Sequence, residues 1–146
     1  MEVRELMTTN PFCLSVDETL QQVAQEMKRH DVGAMPVCVD DKLAGIITDR
    51  DMIVGCVAEG KQPQQSVVKD HMTADPICIG VSATPEQALE VMARSQVRRR
   101  LCVTEDGTED GNLVGMLALG DLAHHFMDNA RISETLAAIS EPFRRL

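Results

Sequence analysis

The chain repeats itself once, and this internal repeat constrains its fold more than any other feature. The stretch "VRELMTTNPFCLSV" begins at Val3, and "VKDHMTADPICIGV" begins 65 positions later, at Val68. Further along, Gly45 corresponds to Gly115, 70 positions away, because the second copy has extra residues in the turn "TEDGTEDGN". A single repeat of about 60 residues favours two halves with the same fold, joined here by the polar stretch "EGKQPQQS".

The two halves share one succession of local patterns. "PFCLSV" and "PICIGV" are short apolar segments typical of strands. Capping boxes that start at Thr19 and Thr84 predict that a helix follows each of these strands. Two apolar segments follow each helix and predict a hairpin. Second helices are expected over residues 49–58 and 120–127.

Each half is therefore predicted to contain a strand, a helix, two further strands and a second helix, in that order along the chain. A three-stranded sheet with both helices on one face leaves its other face apolar, because "AGII" and "VGML" are too apolar for strands wetted on one side. We predict an α+β fold in which the two halves pack sheet to sheet with approximate two-fold symmetry.

The composition argues against several classes of partner. The formal net charge is −9, with 23 acidic residues against 14 basic ones, which opposes binding to a nucleic acid duplex. The chain has three Phe and neither Trp nor Tyr, so it lacks platforms for stacking single-stranded bases. It shows neither a leader pattern nor an apolar run long enough to span a bilayer, and we expect a cytoplasmic protein that does not contact membranes.

The sequence offers little for catalysis or metal binding. Its five Cys are odd in number and lack C-x-x-C spacing, so we expect reduced, buried thiols that act as small apolar residues. His124 and His125 are adjacent and read as ordinary helix residues, so no metal site is expected. We find no phosphate loop and no nucleophile with a base, and therefore predict that the chain is not an enzyme.

The repeated pattern resembles a tandem pair of cystathionine-β-synthase-type (CBS) domains, or Bateman module, of the stand-alone bacterial kind. The resemblance rests on "MTTNPFCLSVDETLQQVAQEMKRHDVGAMPV" with "LAGIITDRDM", and on "MTADPICIGVSATPEQALEVMARSQVRRRLCV" with "LVGMLALGDL". It implies a regulatory homodimer that requires no cofactor and binds an adenosyl ligand: AMP, ADP, ATP, S-adenosylmethionine or NAD(H). The predicted organisation is CBS repeat 1 over residues 1–60, a linker over 61–67, CBS repeat 2 over 68–127 and a helical tail over 128–146.

The family's ribose signature is Gly, an apolar residue, any residue, Thr or Ser, and Asp or Asn three residues later. The first copy has it in full, with Gly45, Thr48 and Asp51, whereas the second copy keeps Asp121 but has Ala118 in place of the hydroxyl. The resemblance implies two ligand sites, each built from both copies. The stronger site is predicted to contain Ile46, Thr48, Asp51, Met72, Thr73, Ile77, Cys78, Val97, Arg98 and Arg99. The weaker site is predicted to contain Met7, Thr8, Phe12, Cys13, Val32, Gly33, Ala34, Met116 and Asp121.

Two interpretations of Thr48 and Asp51 compete. Their spacing is that of a capping box, which only stabilises a helix. A carboxylate can also accept hydrogen bonds from ribose hydroxyls, the helix start can offer N–H groups to a phosphate, and Arg98 and Arg99 can supply countercharge. Asp121 favours the second interpretation, because Ala118 lacks the hydroxyl that the box needs. The alternative for the whole chain is a ligand-free module that dimerises and binds a protein partner.

Overall fold

The computed structural model describes residues 1–95, 100–126, 133–135 and 137–138. The chain forms two compact units. Unit 1 contains Met1–Asn10 and Ile77–Leu146, and unit 2 contains Pro11–Pro76. Each unit combines a sheet with helices, which confirms the predicted α+β class. Sheet-to-sheet packing of the two halves stays a prediction.

Apart from the short strand β1 (Thr8–Thr9), the regular elements follow the predicted order in both units. In chain order they are β1 (Thr8–Thr9), β2 (Leu14–Ser15), α1 (Leu20–His30), β3 (Ala34–Val39), β4 (Lys42–Thr48), α2 (Asp49–Met52), β5 (Cys78–Gly80), α3 (Pro85–Ser95), β6 (Arg100–Thr104), β7 (Leu113–Ala118) and α4 (Leu119–His125). A π-helical turn over Ile53–Val57 continues α2. Of the predicted tail, only residues 133–135 and 137–138 are described, and they are helical. No described helix has the length and apolar character needed to cross a membrane.

The sheet of unit 2 has the order β2-β3-β4, with β2 parallel and β4 antiparallel to β3. Asp40 and Asp41 turn the β3–β4 hairpin with φ of 51° and 65°, the positive values that a tight two-residue hairpin turn requires. Unit 1 repeats this arrangement with β5, β6 and β7, and adds β1 antiparallel to β7. Strand β1 was not predicted from the sequence.

Capping boxes start the first helix of each repeat, as predicted. The Thr19 hydroxyl accepts the Gln22 N–H at 3.2 Å, and the Gln22 side chain accepts the Thr19 N–H at 2.9 Å. Thr84 and Gln87 make the same two bonds. Each helix then buries one apolar stripe against its own sheet, because apolar residues recur at helical spacing. In α1 the buried residues of this stripe are Leu20, Val23 and Met27.

The segment that precedes the first strand of each sequence repeat belongs to the other repeat's compact unit. Val3 is fully buried in unit 1, where its N–H donates to the Ala83 carbonyl at 2.8 Å. Val68, the equivalent residue, is fully buried in unit 2, where its N–H donates to the Glu18 carbonyl at 2.9 Å. The boundary between the two sequence repeats and the boundaries between the two compact units therefore lie at different positions in the chain. We call residues 3–9 and 68–73 the exchanged segments.

Candidate functional site

The capping box at the start of α2 forms as the simpler interpretation predicts. The Thr48 hydroxyl accepts the Asp51 N–H at 3.1 Å, and Asp51 Oδ2 accepts the Thr48 N–H at 2.9 Å. Both side chains are half-buried. Within the described part of the chain, the second carboxylate oxygen, Oδ1, has no hydrogen bond. A carboxylate offers about four acceptor positions, so the cap leaves Asp51 with capacity for a ligand.

Asp121 makes the same contact in the second repeat. Its Oδ2 accepts the Ala118 N–H at 2.9 Å. Ala118 therefore does not deprive Asp121 of a capping role, which corrects the prediction, because the acid's half of the box needs only a backbone N–H. Capping alone explains why an acid lies at this position, and the presence of Asp121 does not favour a ligand.

The start of α2 does not offer free N–H groups, which corrects the expectation of an anion site there. The Asp49 N–H donates to the Gly33 carbonyl at 2.9 Å, and the Arg50 N–H donates to Asp49 Oδ1 at 2.8 Å. The third N–H of the helix, from Asp51, already donates to Thr48. A phosphate beside Asp51 would need cationic side chains instead.

The glycine of the ribose signature has a structural cause in both repeats. A Cβ on Gly45 would lie 2.6 Å from the Thr73 carbonyl oxygen and 2.9 Å from Met72 Sδ. A Cβ on Gly115 would lie 2.9 Å from the Thr8 carbonyl oxygen. Each glycine therefore lets an exchanged segment lie directly against the last strand of the sheet. The matching glycines were visible in the repeat, but their close neighbours are distant in sequence.

Unit 2 brings together half of the residues predicted for the stronger site. They are Ile46, Thr48, Asp51, Met72 and Thr73. Ile46 and Thr73 exchange two backbone hydrogen bonds, of 3.0 and 2.8 Å, so the Ile46 N–H is not available to an adenine edge. Ile77 and Cys78 belong to unit 1. Val97, Arg98 and Arg99 lie outside the described residues.

The residues predicted for the weaker site are also divided between the units. Those in unit 1 are Met7, Thr8, Met116 and Asp121. Those in unit 2 are Phe12, Cys13, Val32, Gly33 and Ala34. Thr8 pairs with Met116 across β1 and β7, whereas Ala34 lies directly opposite Thr48 across β3 and β4. Unit 2 thus places Ala34 of the weaker set opposite Thr48 of the stronger set. The division of these residues between two sites stays a prediction.

The cysteines do not all fit the expectation of buried thiols. Cys102 and Cys56 are buried, and Cys38 and Cys78 are half-buried, but Cys13 is exposed. Burial, with Glu109 and Asp106 nearby, raises the pKa of the Cys78 thiol to about 11. Cys38 instead donates a hydrogen bond from its thiol to Cys13 Sγ over 2.8 Å. Among the described residues, no group of three or more His, Cys, Asp or Glu could hold a metal ion.

Comparison with known proteins identifies the repeats. The CBS domain family matches residues 3–56 and again residues 68–128. The CBS domain-containing protein YhcV of Bacillus subtilis is 36% identical over 138 residues, which cover 94% of each chain. Hypoxic response protein 1 of Mycobacterium tuberculosis is 33% identical over 140 residues, which cover 95% of this chain and 94% of that one.

Solved structures agree with the sequence relatives. A crystal structure of Hypoxic Response Protein I with two coordinated zinc ions has a TM-score of 0.75 at 32% identity, covering 86% of this chain and 99% of that one. A crystal structure of CBSX2 in complex with AMP has a TM-score of 0.70 at 23% identity, covering 85% of this chain and 94% of that one. With its two family matches, its relatives and its fold, the chain belongs to the CBS-domain family as a tandem pair of CBS domains.

Proposed function

We propose that this tandem CBS pair is a regulatory module that binds an adenosyl ligand and passes the signal to another protein. AMP, ADP or ATP is the first choice of ligand, and S-adenosylmethionine or NAD(H) the second. The observation that carries the proposal is the state of Asp51, whose Oδ2 is fixed by the Thr48 N–H while Oδ1 has no partner among the described residues. The AMP complex of a CBS protein with a similar fold supports the choice.

The chemistry of Asp51 suits the two vicinal hydroxyls of a ribose. A half-buried carboxylate that is already oriented by one hydrogen bond loses little freedom when it accepts further ones. Hydrogen bonds to charged groups contribute about 1.5–3 kcal/mol each. Because the first N–H groups of α2 are engaged, the proposal assigns the phosphate to Arg98 and Arg99 instead of the helix.

The proposal keeps the two sites unequal. The stronger site has the hydroxyl of Thr48 and, by assignment, two arginines. The weaker site has Asp121 with Ala118, and the uncharged Gly33 and Ala34 at the corresponding position. Because Asp121 is fixed by the same backbone bond as Asp51, the difference between the sites rests on the hydroxyl and the arginines.

Calorimetric titration of AMP and ATP tests this proposal. Asp51→Ala is expected to weaken the tighter binding event at least about tenfold. The variant loses at least one charged hydrogen bond, and a loss of about 1.4 kcal/mol lowers affinity by a factor of ten. Asp49→Ala is the matched control, because Asp49 is an exposed acid on the same turn of helix and should leave affinity within about twofold. Equal losses in Asp51→Ala and Asp121→Ala would rule out the asymmetry.

Absence of binding would favour the alternative, a ligand-free module. In that case no adenosyl compound would release heat or shift the melting temperature of the parent protein, whereas a ligand at a hundredfold its dissociation constant adds about 2.7 kcal/mol of stability. Mass spectrometry of small molecules retained by the purified protein provides an independent test.

We further propose that the protein is a cytoplasmic homodimer without catalytic activity. Its effector would be another protein, which is not identified. An apolar patch on the π-helical turn of unit 2 supports association with a second copy. Three large apolar side chains in this patch are 58%, 48% and 56% exposed to solvent, and so many exposed apolar side chains are unusual on one short stretch of helix surface. They are Ile53, Val54 and Val57.

Light scattering during size-exclusion chromatography tests the dimer. If the patch is the contact, Ile53→Glu combined with Val57→Glu should convert a dimer of the parent chain into a monomer. Val39→Glu is the control, because Val39 is a similarly exposed apolar residue, at 47%, outside the patch. A double variant with the parent's mass would exclude this contact.

A further inference from the structure

Cys13 and Cys38 bring two sulfur atoms unusually close together at the surface of unit 2. Their Sγ atoms are 2.8 Å apart, against about 2.0 Å in a disulfide bond. A shift of less than about 1 Å would therefore join them. Cys13 is exposed and Cys38 is half-buried, so a small oxidant in solvent can reach the first sulfur.

The sheet explains this approach. Cys13 immediately precedes β2, which runs parallel to β3 with Ser15 opposite Cys38. Cys13 lies two residues before Ser15, so the two cysteines form a diagonal pair across neighbouring strands. Leu14 and Val37 are buried on the helix-covered face of the sheet. Because side chains alternate along a strand, their neighbours Cys13 and Cys38 are placed on the opposite face.

The electrostatic surroundings favour Cys13 as the reactive partner. The hydrogen bond from Cys38 lowers the pKa of the Cys13 thiol below its ordinary value, although partial burial and the Asp41 carboxylate act in the opposite direction. A thiolate is the nucleophilic form of cysteine. Cys78 occupies the position of Cys13 in the second repeat, but its pKa is raised to about 11 by burial. The two repeats thus differ in the reactivity of equivalent cysteines.

We infer that Cys13 and Cys38 form a reversible, oxidant-sensitive modification site that closes to an intramolecular disulfide when the chain meets a peroxide. The Cys13 thiolate attacks one peroxide oxygen and breaks the O–O bond, which yields a sulfenic acid and one water from hydrogen peroxide. The Cys38 sulfur then attacks Cys13 Sγ, forms the S–S bond and releases a second water. The peroxide is reduced by two electrons and the two thiols are oxidised, and a dithiol reverses the modification by exchange.

The test starts from reduced, full-length protein. It is treated with equimolar hydrogen peroxide, its remaining thiols are blocked with N-ethylmaleimide, and it is digested with trypsin without reductant. We expect a linked pair of peptides, residues 5–28 and 30–42, that disappears after treatment with dithiothreitol. Two of the five cysteine thiols should be lost per chain in a thiol titration. The oxidised protein should also melt at a higher temperature than the reduced protein, because the cross-link restricts the unfolded chain.

Three variants complete the experiment. Cys13→Ser and Cys38→Ser should each abolish the linked peptides, whereas Cys78→Ser should retain them. Circular dichroism checks that the serine variants fold, and the parent protein tests the proposal even if one of them does not. Five alkylated cysteines after peroxide, a disulfide between chains, or Cys13 oxidised to a sulfinic acid while Cys38 stays reduced would each overturn the inference.

Discussion

Gly45 belongs to the ribose signature, but the close packing of the exchanged segment also requires a glycine at this position. The exchanged segment lies so close to β4 that a methyl group at this position would meet the Thr73 carbonyl oxygen at 2.6 Å. Backbone atoms cannot rotate away as a side chain can, so the contact has no easy relief. From the sequence, Gly45 could be assigned only to the ribose signature, because the Thr73 carbonyl that requires a glycine lies 28 residues further along the chain.

Gly45→Ala should lower the free energy of unfolding by about 1–3 kcal/mol, the usual cost of overpacking. Urea denaturation monitored by circular dichroism measures the change. Gly120→Ala is the matched control, because Gly120 lies in α4 and an added Cβ would have no described atom within 4 Å apart from its chain neighbours and its own helix backbone. Alanine is favoured over glycine in a helix, so this control should be neutral or up to about 1 kcal/mol more stable. Equal effects of both substitutions would refute the explanation.

Glu18 makes the stability of unit 2 depend on pH. Burial, with the nearby Glu26 carboxylate, raises the pKa of Glu18, and its buried Oε2 has no hydrogen-bond partner among the described residues. A raised pKa means that folding favours the protonated form. The ionised carboxylate therefore costs stability at neutral pH. This cost fades as the pH falls through the raised pKa of Glu18 in the folded chain and is absent below the ordinary glutamate pKa of about 4.3.

Glu18→Gln should therefore raise the melting temperature at pH 7. The gain should correspond to no more than about 0.5 kcal/mol, because Glu18 is only half-buried and water screens part of the penalty. It should shrink towards zero near pH 4 as Glu18 of the parent becomes protonated. Thermal melts at both pH values, with the exposed Glu90→Gln as control, measure this. A variant less stable than its parent at pH 7 would show that ionised Glu18 contributes favourably.

At the scale of elements, α2 and α4 form a natural comparison of two helix starts. Thr48 and Ala118 have nearly the same extended backbone, with φ and ψ of −117° and 162° against −103° and 157°. Both precede an acid whose carboxylate accepts their N–H. The hydroxyl is therefore the local difference between the two caps. The sequence predicted both helices and the missing hydroxyl, because a cap is decided within four consecutive residues.

Ala118→Thr should restore the complete capping box and stabilise the protein by about 0.5–1 kcal/mol, while Thr48→Ala should destabilise it by a similar amount. The two changes form a reciprocal pair that thermal unfolding can measure. If the proposed sites are correct, the same pair should also narrow or reverse the difference in AMP affinity between them. Stability changes without any change in affinity would assign the hydroxyl to capping alone.

At the scale of the whole molecule, the chain does not fold as two consecutive repeats. Val3 completes the core of unit 1 and Val68 completes the core of unit 2. Both are fully buried, and burying one valine side chain contributes about 1.5–3 kcal/mol. Each unit therefore depends on a segment that precedes the other repeat's first strand.

Two fragments of equal length can test this exchange. Residues 11–76 should keep more native structure than residues 1–66, because only the former retain Val68 and Thr73 against their own sheet. Far-ultraviolet circular dichroism and amide hydrogen exchange compare them directly. Equal protection in the two fragments, or greater protection in residues 1–66, would show that the exchanged segment is dispensable.

Local patterns in the sequence were sufficient to predict the α+β class, the strand and helix order of each repeat, the capping boxes and the family, because each depends on residues a few positions apart. The exchanged segments, the added strand β1, the engaged N–H groups of α2 and the contact between Cys13 and Cys38 depend on residues that are distant in sequence. Side-chain alternation and periodicity say which face an element buries, but they do not say which segment covers it. Those contacts are determined only by the tertiary structure. Burial of Val3 and Val68 is favourable only where the other residues of a core already surround them.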